Sequence, residues 1–201
     1  MSRYPKLILA SQSPRRQELL RNITPDFTVQ VSQVEENLAP GTSPGEAVEQ
    51  LALRKAQAVL RLQSDPEDCI VIGSDTVVAI DGRILGKPRS REECLGMLEA
   101  LSGREHTVYT GVALLGGGRE RLFQERAQVE FWPLSPAERG WYAATPEPYD
   151  KAGGYGVQGL GSLLVRAIRG DYFTVMGLPV ARLWRELRDF APERFPLQGP
   201  V

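Results

Sequence analysis

Histidine is nearly missing from this chain and cysteine is scarce: among 201 residues there are one His and two Cys. A lone imidazole, His106, gives no support to a Ser–His–Asp arrangement and reads as a structural residue near the start of a strand. Cys69 and Cys94 have neither the spacing of zinc ligands nor the density of a disulfide-stapled secreted domain, which predicts a reducing compartment. No uncharged apolar run approaches the ~18–20 residues that cross a bilayer, and residues 1–6 lead into an apolar run far too short for a signal peptide. A cytoplasmic protein with no membrane partner is therefore expected. Charge of one sign is not in excess either. The 24 Lys and Arg against 25 Asp and Glu leave a net charge of −1, which removes the global electrostatic argument for a nucleic-acid partner. Any anion site must be local.

Internal repeats and Ser/Gly linkers are also lacking. With 42% hydrophobic residues the chain has material for a sizeable core, so it reads as one domain over residues 1–190, folded as a single body or as two lobes around a cleft. Residues 191–201 carry three prolines and no periodicity, and are expected to stay outside the fold.

What is present follows a legible order. Residues 7–10 form a short apolar strand, and Ser13-Pro14 opens a helix to about Asn22, Ser being a favoured N-cap and Pro a favoured first helical residue. Residues 27–31 alternate like a strand. Ser43-Pro44-Gly45-Glu46 is a capping box opening a helix to about Leu62. Residues 69–80 are the strongest strand, β-branched and interrupted only by Gly73-Ser74-Asp75, and Asp81-Gly82 turns it into a hairpin with Ile84-Leu85. Capping boxes recur at Ser90-Arg91-Glu92-Glu93 and Ser135-Pro136-Ala137-Glu138. Between them lie strands at about 105–115 and 120–132 joined by Gly116-Gly117-Gly118. Strands near 162–168 and 171–176 and a helix from Pro179 to about Phe190 close the chain. Alternating strands and helices followed by hairpins predict an α/β fold with a mixed sheet.

Three segments carry chemistry. In Ser11-Gln12-Ser13-Pro14-Arg15-Arg16 two arginines sit at the positive end of a helix dipole, an unfavourable placement that a bound anion would reverse. Two guanidinium forks suit phosphate oxygens. In Ile72-Gly73-Ser74-Asp75-Thr76-Val77 a carboxylate lies inside an apolar run, where it needs a partner, a metal or a proton-transfer task; the alternative is a turn at Gly73 between two shorter strands. Glu36, in the pair Glu35-Glu36, offers a second carboxylate for a magnesium-type ion or simply belongs to a solvated acidic loop. The segment from Asp150 through Lys151 to Gly161 holds five glycines between 153 and 161. That density lets backbone approach a ligand closely, although the segment fits neither the dinucleotide nor the P-loop pattern. Gln158 within it offers both a donor and an acceptor, as reading a base edge requires. Lys55 and Lys87, taken singly, read as surface residues that only convergence would make functional.

Together, Ser11-x-Ser13-Pro14-Arg15-Arg16, Ser74-Asp75-Thr76, Gly86-Lys87-Pro88, Asp150-Lys151-Ala152-Gly153-x-Tyr155-Gly156-x-Gln158-Gly159 and Gly177-Leu178-Pro179 resemble, in order, the motifs of the Maf family of nucleoside triphosphate pyrophosphatases, also described as septum-formation inhibitor-like. The resemblance covers about residues 6–190. It implies an elongated mixed sheet flanked by helices, with two lobes around a central cleft as in the Maf and ITPase folds. The loop Tyr155-Gly156-Val157-Gln158-Gly159 is similar to that of the branch acting on dTTP and UTP, whereas the 7-methyl-GTP branch typically carries a Phe-Lys-Ser-Glu-Gly-like loop. Matched residue by residue, the family assigns Asp75 the proton-acceptor role and Arg15, Thr76 and Gln158 the choice of substrate.

The expected reaction is hydrolysis at the α-phosphorus of a nucleoside triphosphate. Ser11, Arg16, Lys87 and Lys151 would help bind the substrate, and Asp75 with Glu36 would hold a divalent cation, Mg²⁺ or Mn²⁺. Maf-like proteins are often dimeric, so a homodimer is one implied state. Two positions depart from the pattern. Gln12 replaces a commonly small residue, and Arg54 stands where relatives often carry Glu, which counts against Lys55 and its helix as a metal or phosphate contact. The alternatives are a house-cleaning pyrophosphatase for modified purine or 7-methyl-GTP nucleotides, and a nucleotide-binding regulator of septum formation without turnover.

Overall fold

The two long apolar runs organise the sheet. In a computed structural model describing residues 5–196, Cys69–Ile80 (β3) pairs antiparallel with Glu105–Gly116 (β5), from Val71 opposite Leu115 to Ala79 opposite Thr107. β5 turns through Gly117 and Gly118, both at positive φ, into Arg119–Phe131 (β6). Lys6–Leu9 (β1) adds in parallel to β3 and carries Thr28–Val29 (β2) beyond it. Arg83–Leu85 (β4) folds back on β3, and Val165–Arg169 (β7) pairs with β6. The result is a seven-stranded mixed sheet in the order β2-β1-β3-β5-β6-β7, with β4 beside β3.

Helices cover both faces, which is why β3 is buried along almost its whole length. Alternate side chains of a strand point to opposite faces. Cys69 and Val71 pack with Ala52, Ala56 and Val59 of the helix Pro44–Leu60 (α2). Ile70 and Ile72 pack instead with Leu19 and Leu20 of Pro14–Arg21 (α1) and with Leu183 and Leu187. Further along the same face, Val78 and Ile80 meet Cys94, Leu98 and Leu101 of Arg91–Leu101 (α3). The helix α2 lies directly on the sheet: a side chain at Gly73 would overlap the carbonyl oxygen of Ala52, and one at Gly111 that of Val48.

One feature of the pairing positions the site. β5 occupies one edge of β3 throughout, while on the other edge β1 ends at Ile72 and β4 begins at Val78. Residues 73–77 therefore have a strand on one side only. Beyond one end of this notch lie β1 and α1 and beyond the other β4 and α3, while α2 lies across its back against Gly73 and Gly111. The polar break Gly73-Ser74-Asp75 is consequently no turn; β3 runs straight through it.

Several expected elements differ. Residues 171–176, expected as a strand, form the helix Tyr172–Met176 (α5). The carboxylate of Asp171 accepts from the amides of Phe173 and Thr174, and Gly177 ends the helix at φ 109°. Local caps override the strand preference of Thr174 and Val175. Residues 162–164 belong to a 3-10 turn, Leu160–Leu164, that precedes β7. The box at Ser90 is half formed: Ser90 Oγ accepts from the Glu93 amide, but the Glu93 carboxylate takes the Arg89 amide instead. The helices Pro136–Ala143 (α4) and Val180–Phe190 (α6) form where expected.

The tail is corrected in part. Phe195 is 9% exposed and joins the core beside Phe190, and Arg194 donates to the carbonyls of Pro5 and Asp26 and to the Asp26 carboxylate. Burying one aromatic ring outweighs the flanking prolines, so residues 191–196 belong to the fold. Residues 197–201 lie outside the described residues. Among the described residues no helix is long and apolar enough to cross a membrane.

Candidate active site

A cleft of about 480 Å³ opens at the notch in β3. Its first wall is built by α1. Ser13 caps the helix by accepting from the Arg16 amide, and Pro14 occupies the first turn, which places Arg15 and Arg16 where the sequence puts two cations on a helix start. Arg16 is clamped: Nε donates to Gly177 O at 2.8 Å, Nη2 to Thr76 Oγ1 at 3.0 Å and Nη1 to Ser11 Oγ at 3.4 Å. Every acceptor is neutral. Burial lowers the Arg16 pKa even though the Asp75 charge opposes the change, so this guanidinium is held without a hydrogen-bonded counter-ion. Ser11 does not line the cleft and stands behind Arg16.

Thr76 is committed as well. Thr110 Oγ1 donates to Thr174 O at 2.8 Å, so its 2.9 Å contact with Thr76 Oγ1 must be a bond donated by Thr76. Arg16, Thr76, Thr110 and Thr174 thus form one directed chain of hydrogen bonds.

Asp75 points to the opposite face of β3, toward α2. Lys55 Nζ lies 2.5 Å from Asp75 Oδ1 and 2.6 Å from Glu36 Oε1. Burial raises the Glu36 pKa, but the hydrogen bond and charge of Lys55, with the more distant Lys87 and Arg16, outweigh it and hold the carboxyl below the usual range. The reading of Lys55 as a surface residue is overturned. It belongs to the sheet-facing stripe of α2 with Val48, Ala52 and Val59 at helical spacing, and a lysine in an apolar stripe is the signal that could have found it. Arg54, the departure that counted against it, reaches away to Asn37 O.

The second wall is the glycine-rich segment. Lys151 donates to Glu147 O at 2.7 Å and to Asp150 Oδ1 at 2.5 Å, and Arg15 Nη1 lies 3.7 Å from Asp150 Oδ2. Burial raises the Asp150 pKa, yet Lys151 and Arg15 hold it low. Gln158 is exposed at the cleft, and its side-chain amide bonds to nothing else among the described residues. Lys87, just after β4, is exposed and has no ion-pair partner within 4 Å among the described residues. Tyr155 is anchored beneath, its hydroxyl 2.6 Å from Nε2 of His106.

Arg15, Arg16, Glu36, Asp75, Thr76, Lys87, Lys151 and Gln158 therefore border one cleft, together with Lys55, read from the sequence as a surface residue unless others converged on it, and Glu147, which the sequence did not single out. No three His, Cys, Asp or Glu side chains converge among the described residues. Asp75 and Glu36 do present second oxygens, Oδ2 and Oε2, bonded to nothing else among the described residues. Two carboxylates suit a magnesium-class ion, which takes most of its ligands from water and phosphate.

Comparison with known proteins identifies the family of the chain. Residues 6–190 match the family described as Maf-like protein. Proteins named dTTP/UTP pyrophosphatase from Bacillus cereus (strain ATCC 14579) and Bacillus cytotoxicus are 50% and 51% identical to this chain over 185 residues, 92% of this chain and 95% of each relative. The Ham1 protein of Staphylococcus aureus aligns with 63% of this chain and 71% of its own, with a TM-score of 0.46 and 19% identity, a likeness too slight to carry weight. With nearly the whole chain matched, half of its residues shared and each quoted motif in place, the chain belongs to the Maf-like protein family.

Proposed function

We propose that the protein is a nucleoside triphosphate pyrophosphatase that hydrolyses dTTP and UTP to the nucleoside monophosphate and pyrophosphate. The observation that carries this reading is one cleft in which a carboxylate held by a lysine, Asp75 with Lys55, faces cations that have charge to spare. Those cations are, among the described residues, Lys87, without an ion pair, Arg16, bonded only to neutral acceptors, and Arg15, whose one pair is long. They grip the polyphosphate tail. Ser11 and Thr76 act through Arg16 by fixing its fork, and Lys151 adds positive field where the glycine loop begins.

Asp75 orients a water molecule and accepts its proton as the water oxygen bonds to the α-phosphorus. The bond from that phosphorus to the α–β bridging oxygen breaks, and the oxygen leaves on pyrophosphate. Lys55 keeps the Asp75 carboxylate in one orientation during the transfer. Asp75 and Glu36 would hold a Mg²⁺ or Mn²⁺ ion, which when bound neutralises phosphate charge. Gln158 pairs with the mixed donor and acceptor edge of uracil or thymine. The two Bacillus relatives, named for these same two nucleotides, support the choice of base.

The test is pyrophosphate release from UTP, dTTP, CTP, 7-methyl-GTP and ITP, with and without Mg²⁺ or Mn²⁺. UTP and dTTP are expected to be the fastest, with one pyrophosphate per monophosphate and loss of activity under a chelator. Release of orthophosphate, preference for the purine nucleotides, or binding with no turnover would each overturn the reading.

A further inference from the structure

The glycine-rich segment is already filled by a side chain of its own protein. Glu147 Oε2 accepts from the Leu160 amide at 2.8 Å, and Oε1 accepts from the Gly161 amide at 3.0 Å and from the Tyr142 hydroxyl at 3.0 Å. Tyr142 in turn accepts from the Gly156 amide at 3.2 Å. One carboxylate thus ties both ends of the stretch 156–161, with Gln158 between them. Burial raises the Glu147 pKa, but these donors outweigh it and hold the carboxyl below the usual range, so the bonds are charge-assisted and correspondingly strong.

The glycines fit this internal task. Gly156 and Gly161 are not at positive φ, unlike Gly153 and Gly154, so left-handed backbone is not why they are glycine. Space is, and Gly159, at φ −99° and ψ −142°, is constrained by space as well as by its backbone. A side chain at Gly159 would overlap the Glu147 carboxylate, one at Gly161 would sit 2.7 Å from the Tyr142 hydroxyl, and one at Gly156 would sit 2.7 Å from Cε of Lys151. The amides of Gly156, Leu160 and Gly161 are spent within the protein.

We infer that Glu147 is a positioning residue for base selection: with Tyr142 it brackets the loop so that Gln158 stands at one fixed place in the cleft. The inference rests on the reading of Gln158 as the group that meets the base. Uracil presents an acceptor where cytosine presents an amino donor, and a carboxamide can pair with either if it is free to shift. A held reader rejects the wrong edge because polar groups are left unpaired. Glu147 supplies the holding.

The experiment measures kcat and KM for UTP and CTP in the full chain, with thermal melting as a check on folding. Glu147→Gln removes the charge at constant size. It is expected to lower the UTP to CTP ratio of kcat/KM by about tenfold, mostly through a lower KM for CTP, with kcat changed by less than about threefold. In a Gln158→Ala background, where the ratio has already fallen, adding Glu147→Gln is expected to move it by less than about twofold. Equal losses for both nucleotides, or the same loss of ratio in both backgrounds, would mean general support of the fold and would overturn the inference. An unchanged ratio in Gln158→Ala alone would instead remove the base reader itself, a failure recognisable because Glu147 is intact. Should Glu147→Gln melt early, Tyr142→Phe deletes only the hydroxyl between Glu147 and Gly156 and is read the same way, with an expected fall of about threefold.

Discussion

The two walls of the cleft each hold a carboxylate at least partly withdrawn from water, and they satisfy it in different ways. On the α2 wall, Asp75 and Glu36 share the ammonium of Lys55. On the loop wall, Glu147 is satisfied by backbone amides and one tyrosine hydroxyl. Backbone donors cannot leave, so Glu147 is fixed for the life of the fold. A lysine side chain has rotatable bonds and can be displaced or re-paired when substrate and cation arrive. Under the proposed function the contrast separates a reacting end from a reading end: exchangeable partners where charge develops, lasting ones where a base must be compared with its rivals.

Breaking the reacting end at its centre has the largest expected effect. Asp75→Asn keeps the shape of the side chain and its place on β3 but removes the proton acceptor, and is expected to lower turnover by ~10²–10⁴ while UTP binding persists. Single-turnover rates beside equilibrium binding check this; near-normal turnover would take Asp75 out of the mechanism. Lys55→Met comes next. It leaves two carboxylates facing each other without their shared partner, and the displaced Asp75 is expected to cost about 10² in rate. Without the hydrogen bond and charge of Lys55, Glu36 keeps the burial that raises its pKa and loses what holds it low. The acid limb of the pH–rate profile should therefore move to higher pH, and a limb that stays in place would show that Lys55 does not hold this wall.

Most elements were legible because the signals were local. The caps at Ser13, Ser43 and Ser135, the glycine hinges at 117 and 118, and the β-branched run of β3 each announce themselves within a few residues. Helix α5 was hidden because its apolar, β-branched residues read as a strand, while its determinants, Asp171 and Gly177, flank it. In the site, Asp75 stood out as a carboxylate in an apolar run. Lys55 did not, since its meaning depends on Gly73 and Gly111 letting α2 lie against the sheet. Glu147 could not be found from sequence: its partners are amides 13 and 14 positions further along, and an amide has no residue identity.

The smallest expected effect concerns what lies under the loop wall. His106 is 2% exposed, packed edge-on to Phe131 and Tyr155, and its Nδ1 has no partner among the described residues. Burial alone lowers its pKa to about 4, against about 6.5 in an unfolded chain. Between those values the unfolded chain binds a proton that the folded one refuses. The contribution is thus complete above about pH 6.5 and lost as pH falls toward 4, on the order of 1 kcal/mol of it by pH 5.5. Urea unfolding at pH 7.5 and 5.5 should show wild type losing more stability across this interval than His106→Gln, by about that amount. Because folded His106 stays neutral at pH 5.5, its bond to Tyr155 beneath the loop persists, and discrimination between UTP and CTP should hold while global stability falls. Identical losses in the two proteins would leave the loop wall without a proton-sensitive foundation.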